Sequence, residues 1–594
     1  MTVHTLHTLL LSVLILTYTC RINAQPNSVL PDIPFERNPN STATWNEAIT
    51  YYTKLSEVTK SFTCSPFGTT DSGHPLHEAV FSIDGDTDPV SLRKKGRLIV
   101  LVLNAIHAGE PCGVDASMML LRDCALRPDD FPWVQDVALV VIPVYNVGGA
   151  LNRNSDSRVN QDGPESYGFR GNAKNLDLNR DFIKCDSKNA ETFTQLFHKW
   201  QPDFLIDNHT SNGADYAHTM TLLATQTDKL TPPLGDWLTR FLPSVYAGMY
   251  SAGWPLTPYV NVSTTPDAGI NGFLDLPRYS TGYASLFHTP GIMAEAHMLK
   301  PYPDRVQSAY DLMQVILSHL AEQKSELHDA RKKALAYSLK QDTFAIDWVP
   351  DSARVDSVLF MGYEATYTPS RVSGLPRLSY DRDKPWTRKI PYFRYFTNSR
   401  SVTKPSGWLI PGAWDAVLER LHLNGIRMEQ LNQDHIITAE RYRIEDFSTL
   451  PAPWEGHYQH RNVVVSVDTV ELQAKKGDVF VTADQPGLRY LIETLEPQAP
   501  DSWFCWNFFD PILSQKEYFS AYVFEDAASN ILEANPALRE ALEQKKAEDP
   551  SFRQSSRAQL DFIYKQSVHY EQTHRAYPVL RVLDASDIEG SQGR

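Results

Sequence analysis

The sequence predicts an α/β layered domain built on a mostly parallel mixed sheet, followed by an α+β accessory region. Apolar runs typical of strands alternate with stretches typical of helices, and this alternation favours parallel strands joined by helical crossovers. The chain has 594 residues, which is enough for two or more domains. We therefore expect a first domain at residues 25–340 and the accessory region at 345–594.

The predicted strands of the first domain are short apolar runs. RLIVLVL (97–103) is continuous and rich in β-branched residues, a pattern typical of a strand buried on both faces. The other predicted strands are HEAVFSI, VALVVIPVY, FLIDNHT and GIMAEAH. Helical spacing predicts helices in WNEAITYYTKL, VDASMMLLRDCAL and SKNAETFTQLFHKW, and one long helix over about 304–337.

The accessory region has patterns of both kinds but no catalytic motif. SGWLIPGAWDAVLERLHLNGIRMEQL predicts a strand, a helix, an Asn-Gly turn and a strand. NVVVSVDTVELQAKKGDVFVTA predicts two strands around a Lys-Lys-Gly-Asp turn, and helices are expected in PALREALEQKKAEDP and RAQLDFIYKQSVHYEQ. We interpret Trp503, Trp506 and Phe508 as core residues rather than a sugar-binding platform. The region is expected to frame a cleft or bind a partner.

Two histidines and two glutamates follow or end predicted strands. His107 and Glu110, in HAGE, come directly after the strand at 97–103, and His209 lies at the end of FLIDNHT. Two imidazoles and one carboxylate suit zinc, with a fourth position left for water. Glu295, in GIMAEAHML, adds a carboxylate that can move protons. Taken alone, H-x-x-E also fits a solvated pair on a helix.

The segment YGFRGNAKNLDLNRDF (167–182) concentrates charged and amide side chains. It contains Arg170, Asp177, Asn179 and Arg180. A guanidinium binds a carboxylate through two parallel hydrogen bonds, so two arginines and an asparagine beside a metal suit a substrate with a terminal carboxylate. By itself the segment also fits a polar, solvated loop.

With these motifs in order, the chain resembles the zinc metallocarboxypeptidase family of the carboxypeptidase A type. The resemblance is to a secreted, bacterial-like member with a long C-terminal extension, and it covers roughly residues 45–335. It implies a carboxypeptidase-like fold and one Zn²⁺ per chain. His107, Glu110 and His209 match the family's zinc ligands.

The resemblance also implies roles for the remaining motif residues. Arg170 matches the arginine that polarises the scissile carbonyl, and Asn179 with Arg180 matches the pair that grips the substrate's C-terminal carboxylate. Asp177 matches the acidic residue that orients the first zinc histidine, and Glu295 matches the general base. The implied partner is a peptide or protein substrate with a free C-terminus.

The chain departs from the family pattern near the general base. The family has a mobile tyrosine upstream of the catalytic glutamate, and Phe273 stands at that position here. Tyr279 and Tyr283 are the candidates to bind substrate in its place, and each also fits a core or rim position. His297 is expected to support the site or the core rather than to bind metal.

The N-terminus predicts export. LLLSVLILTYT is too short to span a bilayer, and Ala24 offers a cleavage point, so we predict a signal peptide at residues 1–24 and a secreted or periplasmic protein. The preceding MTVHTLHT has neither Lys nor Arg, which leaves a membrane-associated N-terminus as the alternative. No later run has the ~18 apolar residues of a stable span.

Charge and cysteine content narrow the classes of partner. The net charge of −15 argues against nucleic-acid binding. The few cysteines predict no disulfide framework, although one optional bridge stays open. The sequence does not indicate an oligomeric state.

Three functions fit these observations. The first is a secreted zinc carboxypeptidase. The second is a zinc amidohydrolase that acts on acylated amino acids or cell-wall peptides, because such enzymes share the metal-binding trio. The third is a non-catalytic secreted binding protein that retains the fold, and the presence of Glu295 with all three ligands argues against it.

Overall fold

The computed structural model describes residues 30–589. The predicted signal peptide, including Ala24, lies outside this range. None of the helices within the range is both long and apolar enough to cross a membrane. The five cysteines within it are free thiols.

The first region contains an eight-stranded mixed sheet. The strand order is β1-β2-β4-β3-β5-β9-β6-β7, and β4, β3, β5 and β9 run parallel at its centre. This agrees with the predicted α/β class. The strands of the region are β1 (Phe62–Thr69), β2 (Pro75–Phe81), β3 (Leu98–Asn104), β4 (Val137–Ile142), β5 (Phe204–Ser211), β6 (Met220–Ala224), β7 (Thr257–Pro258), β8 (Ile270–Asn271) and β9 (Gly291–His297).

Helices cover the sheet, and several begin at residues whose side chains satisfy free backbone N–H groups. Thr44 and Glu47 form a capping box at α2, and the Ser187 hydroxyl accepts from the third residue of α6. The helices are α1 (Pro34–Arg37), α2 (Trp45–Val58), α3 (Pro89–Lys94), α4 (Cys112–Leu126), α5 (Val147–Leu151), α6 (Lys188–Trp200), α7 (Pro232–Ser251), α8 (Ser280–Ser285), α9 (Tyr302–Glu322) and α10 (Lys324–Lys340).

The single helix predicted over 304–337 is wrong. Gln323 has φ −104° and ψ 22°, and this break separates α9 from α10. The apolar spacing continues across the break, so periodicity does not reveal it. Both helices bury apolar residues in the same core cluster, with Leu320 before the break and Leu327 after it.

The accessory region is α+β, as predicted. Its longest strands form two antiparallel hairpins, β11–β12 and β16–β17, and a six-stranded sheet has the order β15-β18-β14-β19-β16-β17. The strands are β10 (Thr343–Pro350), β11 (Asp356–Pro369), β12 (Pro376–Phe393), β13 (Phe396–Thr403), β14 (Gly407–Ile410), β15 (Glu429–Gln430), β16 (His435–Thr449), β17 (His460–Ala474), β18 (Val479–Thr482) and β19 (Ala576–Val582).

The remaining helices follow or interrupt these strands. The strands predicted on either side of the Lys-Lys-Gly-Asp turn are β17 and β18, but they are not neighbours in the sheet, because β17 pairs with β16 and β18 pairs with β14 and β15. The helices are α11 (Asp415–Leu423), α12 (Leu488–Leu495), α13 (Ala521–Ala534), α14 (Pro536–Glu548), α15 (Pro550–Arg553), α16 (Ser556–Tyr564) and α17 (Ser586–Glu589).

The two regions share a hydrophobic core. One cluster of buried residues includes Phe193 and Phe197 of α6 together with Trp503 and Trp506 of the accessory region. Strand β8 also pairs in parallel with the end of β12. The two tryptophans are fully buried, which confirms them as core residues, while Phe508 is half-buried against the same cluster. The accessory region is therefore packed directly onto the sheet that carries the predicted site.

Candidate active site

Three adjacent parallel strands bring the predicted residues together near the carboxyl ends of the strands. His107 follows the end of β3, His209 lies near the end of β5, and Glu295 lies in β9. His209 and Glu295 are paired in the register of β5 and β9. Crevices at the carboxyl ends of parallel strands are where α/β sheets bind ligands. The sheet thus positions both the metal-binding candidates and the proposed base.

The ligand atoms of His107, Glu110 and His209 lie within 4.8 Å of one another, and all three residues are buried. The Nδ1 atom of His107 lies 3.0 Å from Oε1 of Glu110, and the Nδ1 atom of His209 lies 3.1 Å from Oε2. The opposite nitrogens contact aspartates. His107 Nε2 lies 3.0 Å from Asp177 Oδ1, and His209 Nε2 lies 2.8 Å from Asp207 Oδ2.

This donor set fits a zinc ion. A neutral imidazole that donates its Nε2–H to an aspartate has its lone pair on Nδ1. The lone pairs of His107 and His209 then face the two oxygens of Glu110, an arrangement that suits a cation held among the three side chains. Ligand atoms at zinc's usual bond lengths and tetrahedral angles lie about 3.4 Å apart, close to the nitrogen–oxygen distances found here.

Further contacts fix the Glu110 carboxylate. Arg158 Nη2 donates to Oε1 at 2.6 Å, and the backbone N–H of Thr210 donates to Oε2 at 2.8 Å. Burial opposes the charge on Glu110, but His107 and Arg158 together hold its pKa well below the ordinary value. Gly109 permits this approach, because a Cβ there would lie 2.4 Å from Nε of Arg158.

Arg170 lies beside the metal-binding candidates and is anchored by Asp177. Its Nη2 and Nε donate to Asp177 Oδ2 at 2.8 and 3.1 Å, and its Nη1 lies 3.7 Å from Glu110 Oε1. Asp177 thus binds His107 with one oxygen and Arg170 with the other. The Arg170 side chain remains about half exposed, at 46%, so its guanidinium can reach a molecule in the cleft.

Asn179 and Arg180 lie in a short 3₁₀ turn, Leu178–Arg180. The Arg180 guanidinium lies 4.6 Å from the ring centroid of Tyr279, and its Nη1 donates to the Asn179 carbonyl at 2.8 Å. Among residues 30–589, no carboxylate is within ion-pair distance of Arg180. A guanidinium that stacks on a ring and contacts no carboxylate directly is suited to an anionic ligand.

A cleft of about 450 Å³ is lined by the three metal-binding candidates together with Arg170, Asn179, Arg180, Tyr279 and Glu295. Glu295 is half-buried there. Burial raises the pKa of the Glu295 carboxyl to about 7, with His209 lowering it and Glu110 raising it further. A carboxyl with such a pKa takes up and releases protons near neutral pH.

Tyr283, in contrast, does not reach the cleft. It lies on α8 with no exposed surface, and its hydroxyl donates to Oδ1 of Asn424 at 2.6 Å. The substrate-binding role predicted for Tyr283 is therefore wrong, because α8 directs the ring into the shared core. Phe273 does line the cleft and packs edge-on against Tyr279, with 5.0 Å between ring centroids. His297 is buried and stacked on Tyr216.

Three residues of the site are absent from the sequence-based prediction. Asp207 precedes His209 by two positions on the same strand, so strand alternation places both on one face and could have revealed it. Arg158 and Tyr259 give no such signal. Arg158 comes from a polar loop, and Tyr259 joins Phe273 in lining the cleft. Burial raises the pKa of the Tyr259 phenol, with smaller contributions from nearby carboxylates.

Curated proteins similar to this chain carry the name carboxypeptidase. No family model matches the chain. The chain is similar to Carboxypeptidase 2 of Trichophyton rubrum, with 20% identity over 439 residues that cover 68% of this chain and 73% of that protein. Carboxypeptidase 2 of Trichophyton equinum shows the same identity and coverage.

Solved structures show partial likeness. A metallo-carboxypeptidase from Pseudomonas aeruginosa is 17% identical, with a TM-score of 0.34 and coverage of 47% of this chain and 69% of that chain. Carboxypeptidase A from Helicoverpa armigera is 11% identical, with a TM-score of 0.36 and coverage of 50% of this chain and 75% of that chain.

The chain has a mixed eight-stranded sheet in which β3, β5 and β9 are adjacent and parallel. The residues of the motifs found in the sequence line one cleft. The curated proteins similar to the chain are named carboxypeptidases. Together these findings show that the chain is similar to proteins named carboxypeptidase.

Proposed function

We propose that the protein is a zinc-dependent carboxypeptidase that hydrolyses the C-terminal peptide bond of peptides or proteins. The observation that carries this proposal is the position of Arg180. Its charge has no ion-pair partner in the described chain, and it lines the same cleft as the metal-binding trio and Glu295. A substrate carboxylate bound there would hold the adjacent peptide bond in the cleft that Glu295 also lines.

His107, Glu110 and His209 would hold the zinc ion, with Asp177 and Asp207 fixing the orientation of the imidazoles. A zinc ion at this position supplies Lewis-acid activation of water and of the substrate carbonyl at neutral pH. The two aspartates keep each histidine in the tautomer that offers Nδ1 to a metal. Arg158 keeps Glu110 ionised, which is the form that binds metal.

Arg180 and Asn179 bind and orient the substrate. The guanidinium of Arg180 offers two parallel donors to a carboxylate, and the Asn179 amide lies beside it in the cleft. Tyr279 holds the guanidinium plane by stacking, so little side-chain freedom is lost on binding. This fixed geometry contributes by holding the scissile carbonyl in place.

Glu295 and Arg170 act on the reacting bond. Glu295 takes a proton from the attacking water and passes it to the leaving amine, so one carboxyl serves first as general base and then as general acid. Arg170 donates hydrogen bonds to the carbonyl oxygen as negative charge develops on it. Asp177 keeps the Arg170 guanidinium at the edge of the cleft for this purpose.

The test combines metal analysis with a panel of peptides that differ only in the C-terminal residue. The purified chain should bind one zinc ion and release single C-terminal amino acids. Release of internal fragments would support an endopeptidase instead. Rapid cleavage of acylated amino acids or cell-wall peptides, with no release from ordinary peptides, would support the amidohydrolase alternative.

Export is also a proposal, based on the apolar run at 9–19 and on Ala24. N-terminal sequencing of the protein after expression in a secreting host should give Gln25 as the first residue. A mature chain that still starts at Met1 would contradict the proposal.

A further inference from the structure

The turn of the β16–β17 hairpin contacts the loop that carries Asp177. The hairpin tip, residues 450–459, lies against this loop through two polar contacts. The backbone N–H of Asp177 donates to Oε2 of Glu455 at 2.7 Å, and Nε2 of His457 lies 2.7 Å from Oδ2 of Asp186. Glu455 is 278 positions from Asp177 in sequence, so the accessory region supplies a direct contact to the site.

The backbone of the tip is unusual for a glutamate. Trp454 and His457 pair across a tight turn whose two central residues, Glu455 and Gly456, have φ of +51° and +85°. Hairpin turns with two positive φ angles favour Asn, Asp or Gly at the first central position. A glutamate there costs stability, which indicates that its side chain has a role that the turn alone does not require.

Aromatic packing holds the tip in place. The ring of Trp454 stacks on Trp506 with 5.5 Å between centroids, and the guanidinium of Arg278 lies 5.0 Å from the Trp454 ring. Arg278 is itself paired with the buried Asp501 at 2.9 Å. The Glu455 carboxylate is therefore presented to Asp177 from a rigid support rather than from a free loop.

The contact reaches the metal-binding candidates through a single residue. Asp177 donates its backbone N–H to Glu455, while its side chain contacts His107 with one oxygen and Arg170 with the other. Asp177 also accepts from the backbone of Asn179 at 2.9 Å. A shift of Asp177 would thus move the His107 ring, the Arg170 guanidinium and the start of the Asn179–Arg180 turn together.

We propose that Glu455 is a positioning residue of the active site, which fixes Asp177 and, through it, His107 for zinc and Arg170 for substrate. The accessory region is then part of the catalytic unit rather than an appendage. This inference rests on the proposed zinc carboxypeptidase function.

Three substitutions separate positioning from turn stability. Glu455→Gln keeps an acceptor oxygen at the same reach. Glu455→Ala removes the acceptor and keeps the unfavourable φ, whereas Glu455→Gly removes the acceptor and relieves the backbone. Tyr458→Ala is the matched control, because Tyr458 is an exposed residue of the same tip. The zinc Kd of each full-length variant is measured by competition with a chelator, together with Tm of the metal-free protein.

The Ala and Gly variants should bind zinc ~10-fold more weakly than wild type, the lower end of the effect of losing an outer partner of a metal ligand. Their kcat/KM should fall as well, and Glu455→Gln should stay within about twofold in both quantities. Glu455→Gly should keep Tm at or above the wild-type value.

Wild-type zinc affinity in Glu455→Gly, with zinc bound normally by the wild-type chain, would overturn this inference and leave the proposed function intact. A wild-type chain that binds no zinc would overturn both.

Discussion

His209 and Glu295 are register partners on the adjacent parallel strands β5 and β9. Paired residues on neighbouring strands project from the same face, so the sheet sets the distance between a metal-binding candidate and the proposed base. Neither residue depends on a flexible loop for its position. The two roles can therefore be separated by substitutions that leave the backbone unchanged.

The first prediction concerns the base. Glu295→Gln keeps the shape of the side chain and removes the proton acceptor, so kcat should fall ~100-fold or more, the range for lost general-base catalysis. Zinc content should remain near one ion per chain, because Glu295 is not among the metal-binding candidates. Single-turnover kinetics and metal analysis measure the two effects. Near-normal turnover would remove Glu295 from the proposed mechanism.

The second prediction concerns the metal-binding trio. His209→Ala removes one of three ligands, so zinc affinity should fall by more than the ~100-fold upper range seen when only an outer hydrogen-bond partner is lost. The double variant His107→Ala, His209→Ala should bind no stoichiometric zinc in chelator competition. Retention of one tightly bound ion in the double variant would show that the site lies elsewhere.

The third prediction concerns Asp207, which contacts His209 Nε2 at 2.8 Å and accepts from Ser280 Oγ at 2.5 Å. Asp207→Ala should weaken zinc binding ~10–100-fold, because His209 loses the partner that fixes its ring and tautomer. Ser280→Ala is the control, since it leaves the contact between Asp207 and His209 in place. Equal losses in the two variants would mean that Asp207 acts through general packing.

The fourth prediction concerns stability at the base of the loop that carries Asp177 and Arg180. Lys184 is fully buried, and its Nζ contacts Asp181 at 2.7 Å and Asp186 at 2.8 Å. Lys184→Met leaves the Asp181 charge buried without its cation, so the free energy of unfolding should fall by about 3–5 kcal/mol in urea titrations.

The exposed Lys188 provides the control for that measurement. Lys188→Met should change the free energy of unfolding by no more than about 0.5 kcal/mol, as is usual for a surface substitution. If Lys184→Met is no less stable than this control, the charges of Asp181 and Asp186 do not need the lysine.

Local patterns predicted much of the sheet and of the site. The apolar residues of the run at 97–103 are fully buried in β3, and the two histidines meet because they follow or end neighbouring parallel strands. Strand alternation could also have revealed Asp207. These features depend on spacing within a few residues, which a single sequence displays directly.

Other features depend on contacts between distant segments. Arg158 and Glu455 reach the site from segments with no motif, and the break at Gln323 interrupts an apolar pattern that continues unchanged. In the sequence, Tyr279 and Tyr283 are equivalent candidates. Helix α8 begins directly after Tyr279 and contains Tyr283, and it decides that the first lines the cleft and the second enters the core. Such choices are set by tertiary packing, which periodicity does not encode.

The last prediction tests what the cleft recognises. Arg180 is proposed to hold the free carboxylate of the substrate, a charge-assisted contact that a neutral amide cannot reproduce. Wild type should cleave a free-acid peptide far faster than the same peptide with a C-terminal amide. Arg180→Ala should slow the free-acid reaction strongly and the amide reaction little, because the lost contact is not made with the amide.

These four rates form a double-mutant cycle between one side chain and one substrate group. The coupling energy from the kcat/KM values should be about 2–5 kcal/mol, the cost of leaving one member of a buried charge pair without its partner. Tyr279→Ala should lower the coupling without abolishing it, because the stacked ring orients the guanidinium but does not bind the carboxylate. Equal loss of rate on both substrates in Arg180→Ala would give no coupling. Arg180 would then support the fold of the turn, and specificity for a free C-terminus would have to come from another cation in the cleft, of which Arg158 and Arg170 are the candidates.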